Sequence, residues 1–217
     1  MKKLALGLVM ALLAVPGAAQ TIYSSGPTNG NWYAWTINFG FIVSDAFTTP
    51  YTTLDGATFA MWLFPGDTLT SAELSITSGE NGGTSYFDQT VNFTQGSCAA
   101  NSYGYNVCTE SAMFNGPVLN SGTYWLNLQN ASVPSGDPVY WDQNLGPHVN
   151  LDSAWENTVG SIPAETFTLL GEMTCGPGSN CSQSQPETAP EPGSISLIGG
   201  GGMAILGFLG ALRRKLF

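Results

Sequence analysis

Ser121-Gly122-Thr123-Tyr124-Trp125-Leu126-Asn127-Leu128-Gln129-Asn130 is the stretch that decides the fold. Behind a Ser-Gly turn, Tyr124, Leu126 and Leu128 alternate with Trp125, Asn127 and Gln129. Successive side chains of a strand point to opposite faces, so this period of two marks a strand with one face on a core. Working outward, the alternation recurs. Ile37, Phe39, Phe41 and Val43 alternate with Asn38, Gly40, Ile42 and Ser44. Ala57, Phe59, Met61 and Leu63 form another set, as do Ala72, Leu74 and Ile76. Phe87, Val91 and Phe93 make a partial set, and Phe167 with Leu169 closes the series. Turn signals punctuate the runs: Thr49-Pro50, Asp55-Gly56, Pro65-Gly66-Asp67, Asn81-Gly82-Gly83, Asn115-Gly116, Pro134-Ser135-Gly136 and Gly146-Pro147. No apolar stripe of helical period lies between the two ends of the chain. The pattern predicts an all-β domain over residues 20–171, a single jelly-roll-like β-sandwich of roughly eight to ten strands.

Charge narrows the function. Of 217 residues only 9% are charged, against roughly 25% in an average soluble protein. The five basic residues are Lys2, Lys3, Arg213, Arg214 and Lys215, so residues 20–212 hold all fifteen acids and no Lys or Arg. Nucleic-acid binding needs cations to meet phosphates, and this body has none. Anionic lipid surfaces and phosphoryl transfer are excluded on the same ground. Stability must rest on apolar burial, the backbone ladder and disulfides rather than on ordinary salt bridges.

The two ends read as addresses. In residues 1–19, Lys2 and Lys3 precede an apolar run over residues 4–15. Pro16 and Gly17 break it, and Gly17-Ala18-Ala19 offers small residues to signal peptidase. This is a secretory signal peptide whose removal leaves Gln20 first. At the other end, residues 194–212 are apolar and about long enough to cross a bilayer. Gly199, Gly200, Gly201, Gly202, Gly207 and Gly210 make that transmembrane helix a weak one. Arg213, Arg214 and Lys215 follow and, by the positive-inside rule, stay cytoplasmic, which leaves the body outside. Residues 172–189, rich in Gly, Ser, Gln, Pro and Glu, read as a flexible linker.

Pro190-Glu191-Pro192, the glycine-rich apolar helix and the terminal basic cluster, in that order, resemble the PEP-CTERM sorting signal, a tail also known as an ice-binding-protein C-terminal motif. The resemblance covers residues 190–217. It implies recognition by exosortase, a membrane-embedded transpeptidase-like enzyme for which Pro190, Glu191 and Pro192 are substrate residues. It further implies transient anchoring in the inner membrane through residues 194–212, then delivery to the cell surface or the extracellular matrix, in hosts that make exopolysaccharide. The 121–130 stretch also resembles the late core strand of secreted sandwich domains that carry this tail.

Four cysteines in an exported chain imply two disulfides with three pairings. Proximity favours Cys98–Cys108, closing a loop around Asn101-Ser102-Tyr103-Gly104-Tyr105, and Cys175–Cys181 in the linker. His148 is the only histidine, follows Gly146-Pro147, and lacks a Gly-x-Ser-x-Gly elbow to work with. Asp137, Asp142, Asp152 and Glu156 lie near Tyr140, Trp141 and Trp155. Two such acids at about 5–10 Å could hydrolyse a glycoside. Alternatively, Asp137, Asp142 and Asp152 could converge on Ca2+ as hard oxygen ligands. The stronger binding signal is aromatic. Trp32, Tyr33 and Trp35 cluster early, and Trp62, Trp125, Trp141 and Trp155 are candidates to stack on sugar rings. The expectation is a non-enzymatic surface or matrix protein that needs no cofactor and binds or organises exopolysaccharide. A secreted carbohydrate-active hydrolase and a purely structural matrix component are the alternatives.

Overall fold

The computed structural model describes residues 19–144 and 154–174. The signal-peptide run, His148, Asp152, Cys175, Cys181, the linker beyond Thr174 and the whole 190–217 tail, with Pro190, Glu191, Pro192, Arg213, Arg214 and Lys215, lie outside the described residues.

Fourteen strands and no helix make up the described residues. In chain order the first seven are β1 (Gln20–Ser24), β2 (Ala34–Thr36), β3 (Val43–Thr49), β4 (Thr52–Leu63), β5 (Ser71–Gly79), β6 (Gly82–Asn92) and β7 (Thr94–Ala100). The others are β8 (Asn106–Met113), β9 (Val118–Leu119), β10 (Gly122–Ser132), β11 (Tyr140–Asp142), β12 (Ala154–Glu156), β13 (Gly160–Ile162) and β14 (Phe167–Met173). They form two sheets, and every strand pairing is antiparallel. The smaller sheet has six strands, in the order β13-β12-β3-β10-β5-β6. The larger has eight and is organised on β4, which carries β14 and β11 along one side and β9 and β8 along the other. β7 is hydrogen-bonded to β8 alone.

Register explains the core. Tyr124 faces Phe47, Leu126 faces Asp45 and Leu128 faces Val43, so one side of β10 and β3 turns inward together. Ala57, Phe59, Met61 and Leu63 do the same on β4, with Ala112, Glu110 and Cys108 beside them on β8. Between the sheets Phe47, Phe59, Trp141 and Phe167 are almost wholly buried. Trp141 meets Phe59 and Phe167 edge-on at centroid distances of 5.6 and 5.7 Å. Each such side chain contributes about 1.5–3 kcal/mol by burial, and the edge-to-face pairs add somewhat more.

Three expectations give way. The alternation over residues 37–44 does not make a strand: Asn38 to Phe41 is a turn closed by Phe41 N–H on Asn38 O at 3.1 Å. Gly40 there takes φ 90°, and Phe39, at φ 58°, faces solvent. Asp55-Gly56 is not a turn but the interior of β4. The glycine is needed because a Cβ at 56 would stand 2.8 Å from Ala112 O. Fourteen strands replace roughly eight to ten, because β2, β9, β11, β12 and β13 are only two or three residues long and too short to show a period.

Candidate functional site

The outward face of the larger sheet carries an aromatic cleft of about 330 Å3. On β4 the inward residues are Met61 and Leu63, so Trp62 points outward. Tyr140 of β11 pairs with it directly and therefore shares its face. Two loops close around this pair. The 101–105 loop between β7 and β8 brings Tyr103, stacked on Trp62 at 5.9 Å and 23°, and Tyr105, at 5.8 Å from Trp62 and 5.5 Å from Tyr140. The loop after β1 brings Trp32 and Tyr33. Trp32, Tyr33 and Tyr103 are 68, 64 and 63% exposed, whereas Trp62, beneath its neighbours, is only 6% exposed. The cleft is thus an aromatic floor with three open aromatic rims, and no Lys or Arg lies anywhere in residues 20–212.

Asparagines hold the loops in shape. Asn101 Oδ1 accepts the N–H groups of Tyr103 and Tyr105 at 3.0 Å each. Asn29 Oδ1 accepts those of Asn31 and Trp32 at 3.1 and 2.9 Å. Ser102 N–H reaches Asn31 Oδ1 at 3.1 Å and ties one rim to the other. Such side-chain-to-backbone bonds are the usual way Asn fixes a turn. The Cys98–Cys108 disulfide staples β7 to β8 below the 101–105 loop, as spacing predicts.

Asp142 lies at the back of the cleft. It also points outward, yet it is fully buried, because the 28–30 loop folds over it. Trp62 Nε1–H donates to its Oδ1 at 2.5 Å, Asn29 N–H to Oδ2 at 3.0 Å and Gly30 N–H to Oδ1 at 3.1 Å; the Thr28 hydroxyl donates as well. Burial pushes this carboxyl up, and the hydrogen bonds from Thr28, Trp62, Gly30 and Asn29 oppose the shift. A carboxylate has about four lone-pair sites, and four donors fill them. That speaks against Asp142 as a calcium ligand. Among the described residues no three of His, Cys, Asp and Glu gather where they could hold a metal. Asp137 is half-buried near Asn38 and Phe39, and its backbone carbonyl accepts from Asn38 Nδ2 at 3.0 Å. Glu156 Oε2 accepts from Thr158 N–H, Thr158 Oγ1 and Val159 N–H at 2.6–3.0 Å, closing its own turn.

The four tryptophans named as sugar platforms separate. Trp62 belongs to the cleft. Trp141 is a correction: it is wholly buried in the core, its Nε1–H donating to Thr166 O at 2.8 Å, and it offers no face to a ligand. Trp125 and Trp155 share the outer face of the smaller sheet, opposite Ala46 and Ser44 of β3. Trp155 lies over Gly160, where a Cβ would touch its ring at 3.4 Å. Sequence reading missed Tyr103 and Tyr105 as site residues, although a Tyr-Gly-Tyr inside a closed disulfide loop was the available signal.

Three further acids, all unremarked in the sequence, point inward. Asp45 is buried on β3 and accepts Glu165 N–H at 2.5 Å. Glu165 is fully buried, both its oxygens lack hydrogen-bond partners, and burial followed by the charges of Asp45 and Asp142 raises its carboxyl well above the usual range. Burial pushes Glu110 up to about 7, slightly countered by nearby Gln95, and no hydrogen bond of ordinary length reaches its oxygens. No family model matches the chain, and no curated protein matches it either.

Proposed function

We propose that the chain is an exported, non-enzymatic protein of the cell surface or extracellular matrix, and that its sandwich binds or organises exopolysaccharide through the aromatic cleft. The observation that carries the binding is the convergence of Trp32, Tyr33, Trp62, Tyr103, Tyr105 and Tyr140 from four separate stretches of sequence. Rings held open to solvent on hydrogen-bonded loops meet the apolar faces of sugars, and the phenol hydroxyls beside them suit sugar hydroxyls. Burial, then the Tyr105 hydroxyl, pushes Tyr140 up to about 12, so that phenol stays a neutral donor.

Export rests on residues 1–19, and sorting by exosortase rests on Pro190-Glu191-Pro192, the apolar run over residues 194–212 and Arg213-Arg214-Lys215, as the resemblance implies. The Cys98–Cys108 disulfide suits an oxidising compartment. In the finer reading the two sheets are jelly-roll-like. A hydrolase would need two carboxylates facing one cleft. Asp142 is instead saturated by its own neighbours, and Glu156 lies on β12 of the other sheet with its Oε2 closing its own turn, which supports the binding reading over that alternative.

The test is a panel of neutral, amine-bearing and acidic oligosaccharides titrated into the chain and its Trp32→Ala/Tyr103→Ala variant. Both positions are open to solvent, so the variant should fold. Binding by the parent that drops at least about tenfold in the variant supports the reading, at 1.4 kcal/mol per decade. Binding of equal strength by both would move the site elsewhere.

A further inference from the structure

The charge behind the cleft points to its ligand. Trp62 forms the floor, and its Nε1–H is held by the Asp142 carboxylate at 2.5 Å. A carboxylate accepting from this indole N–H sets a negative charge beneath the stack of Trp62 and Tyr103, and that field adds to the attraction of the exposed rings at the mouth for a cation. The other three donors to Asp142 favour its charged form and oppose the upward push of burial, and the carboxyl group lies behind the ring. Nothing positive offsets it, since residues 20–212 carry no Lys or Arg. An acidic glycan would find no cation here to pair with its carboxylates, and a neutral one would leave this charge unused. Trp32, Tyr33 and Tyr103 line the same opening and expose their rings at its mouth.

We propose that the cleft is a cation–π site for an organic ammonium group, carried by an amine-bearing sugar or by a small quaternary amine. This rests on the cleft being the ligand site argued above and names the chemical class it takes. Anionic polysaccharides such as polyuronates are rejected.

The experiment is calorimetric titration of the full chain, kept in solution with mild detergent, with choline and with its neutral carbon isostere dimethylbutanol. The two probes have nearly the same shape and differ in charge. Choline should bind about tenfold tighter than the isostere, and Tyr103→Leu, which keeps an apolar side chain and removes a π-face, should erase most of that difference. Asp142→Asn should weaken choline alone, and Tyr103→Leu carries the test should that buried change unfold the chain. Competition by a glucosamine oligomer identifies a polysaccharide source. Failure of that oligomer alongside choline binding identifies a small quaternary amine, which keeps the ammonium site and overturns the polysaccharide reading. Equal binding of choline and its isostere overturns the ammonium site. If neutral oligosaccharides then still bind, the glycan reading stands without it.

Discussion

A carboxyl that folds inward with no cation to meet it either keeps its proton or destabilises the fold, and Glu110 is the clearest case. Burial raises it from the usual 4.5 to about 7. An acid raised on folding contributes stability that is whole below its unfolded value and lost as pH rises through its folded one. The melting temperature of the domain should therefore fall between about pH 4.5 and pH 7.5. Glu165, raised in the same direction by burial and by Asp45 and Asp142, adds to that slope. Glu110→Gln should flatten it and melt about 3 °C higher than the parent at pH 7.5, as read by calorimetric scans across the range. A slope unchanged in Glu110→Gln would assign the pH dependence to general repulsion among the acids. Asp45 shows why such residues hide in a sequence. It sits in phase with Val43 and Phe47, so its inward register was legible, but an acid on the core side of a strand reads as an interruption. Only the packed structure shows that Glu165 N–H meets it. Asp142 is the same lesson in reverse: a short loop acid by sequence, it is buried by the 28–30 segment more than a hundred residues away, a distance no local pattern spans.

The hairpin of β7 and β8 links fold to site. It carries Tyr103 and Tyr105 at its tip, and among the described residues β7 has no other strand to hold it. The disulfide across Cys98 and Cys108 therefore fixes an edge as well as a loop. Replacing both cysteines by Ala should cost about 2–3 kcal/mol and weaken ligand binding in the cleft more than burial alone accounts for, because the loop loses its preorganisation. Chemical denaturation and titration of the double variant check the two effects, and unchanged affinity would mean that Asn101 and Asn31 hold the loop unaided. Gly171 is the corresponding point on β14. Its missing Cβ would stand 2.1 Å from Thr53 O, at the register shift between β14 and β4. Gly171→Ala should cost about 1–3 kcal/mol by forcing those backbones apart, measurable in the same denaturation experiment. Long strands were legible because several turns of period two accumulate in β4, β5 and β10. The stretch 37–44 misled because Asn38 and Gly40, read as polar alternates, are the residues that make the turn.

At the scale of the whole molecule, the absence of basic residues between positions 20 and 212 governs behaviour. Trypsin should leave that stretch uncut even when it is reduced and unfolded, while chymotrypsin should cut it at its aromatics. With the Asp142 oxygens saturated by donors, calcium and sodium chloride at equal ionic strength should raise the melting temperature equally, by screening alone. A larger effect of calcium would restore a metal site. The cleft was half legible: Trp32, Tyr33 and Trp62 stood out by type, but their meeting with Tyr103, Tyr105 and Tyr140 depends on β4 pairing with β8 on one side and β11 on the other. The two ends, which we read as addresses, are local sequence patterns and need no tertiary structure to be read. They also carry the central proposal, that the protein is exported and sorted to the surface. Intact-mass measurement of the protein recovered from the surface of an exosortase-bearing host tests it most directly. The expected chain begins at Gln20 and ends near residues 190–192. Recovery of a chain that still carries Arg213 and Lys215 would contradict it.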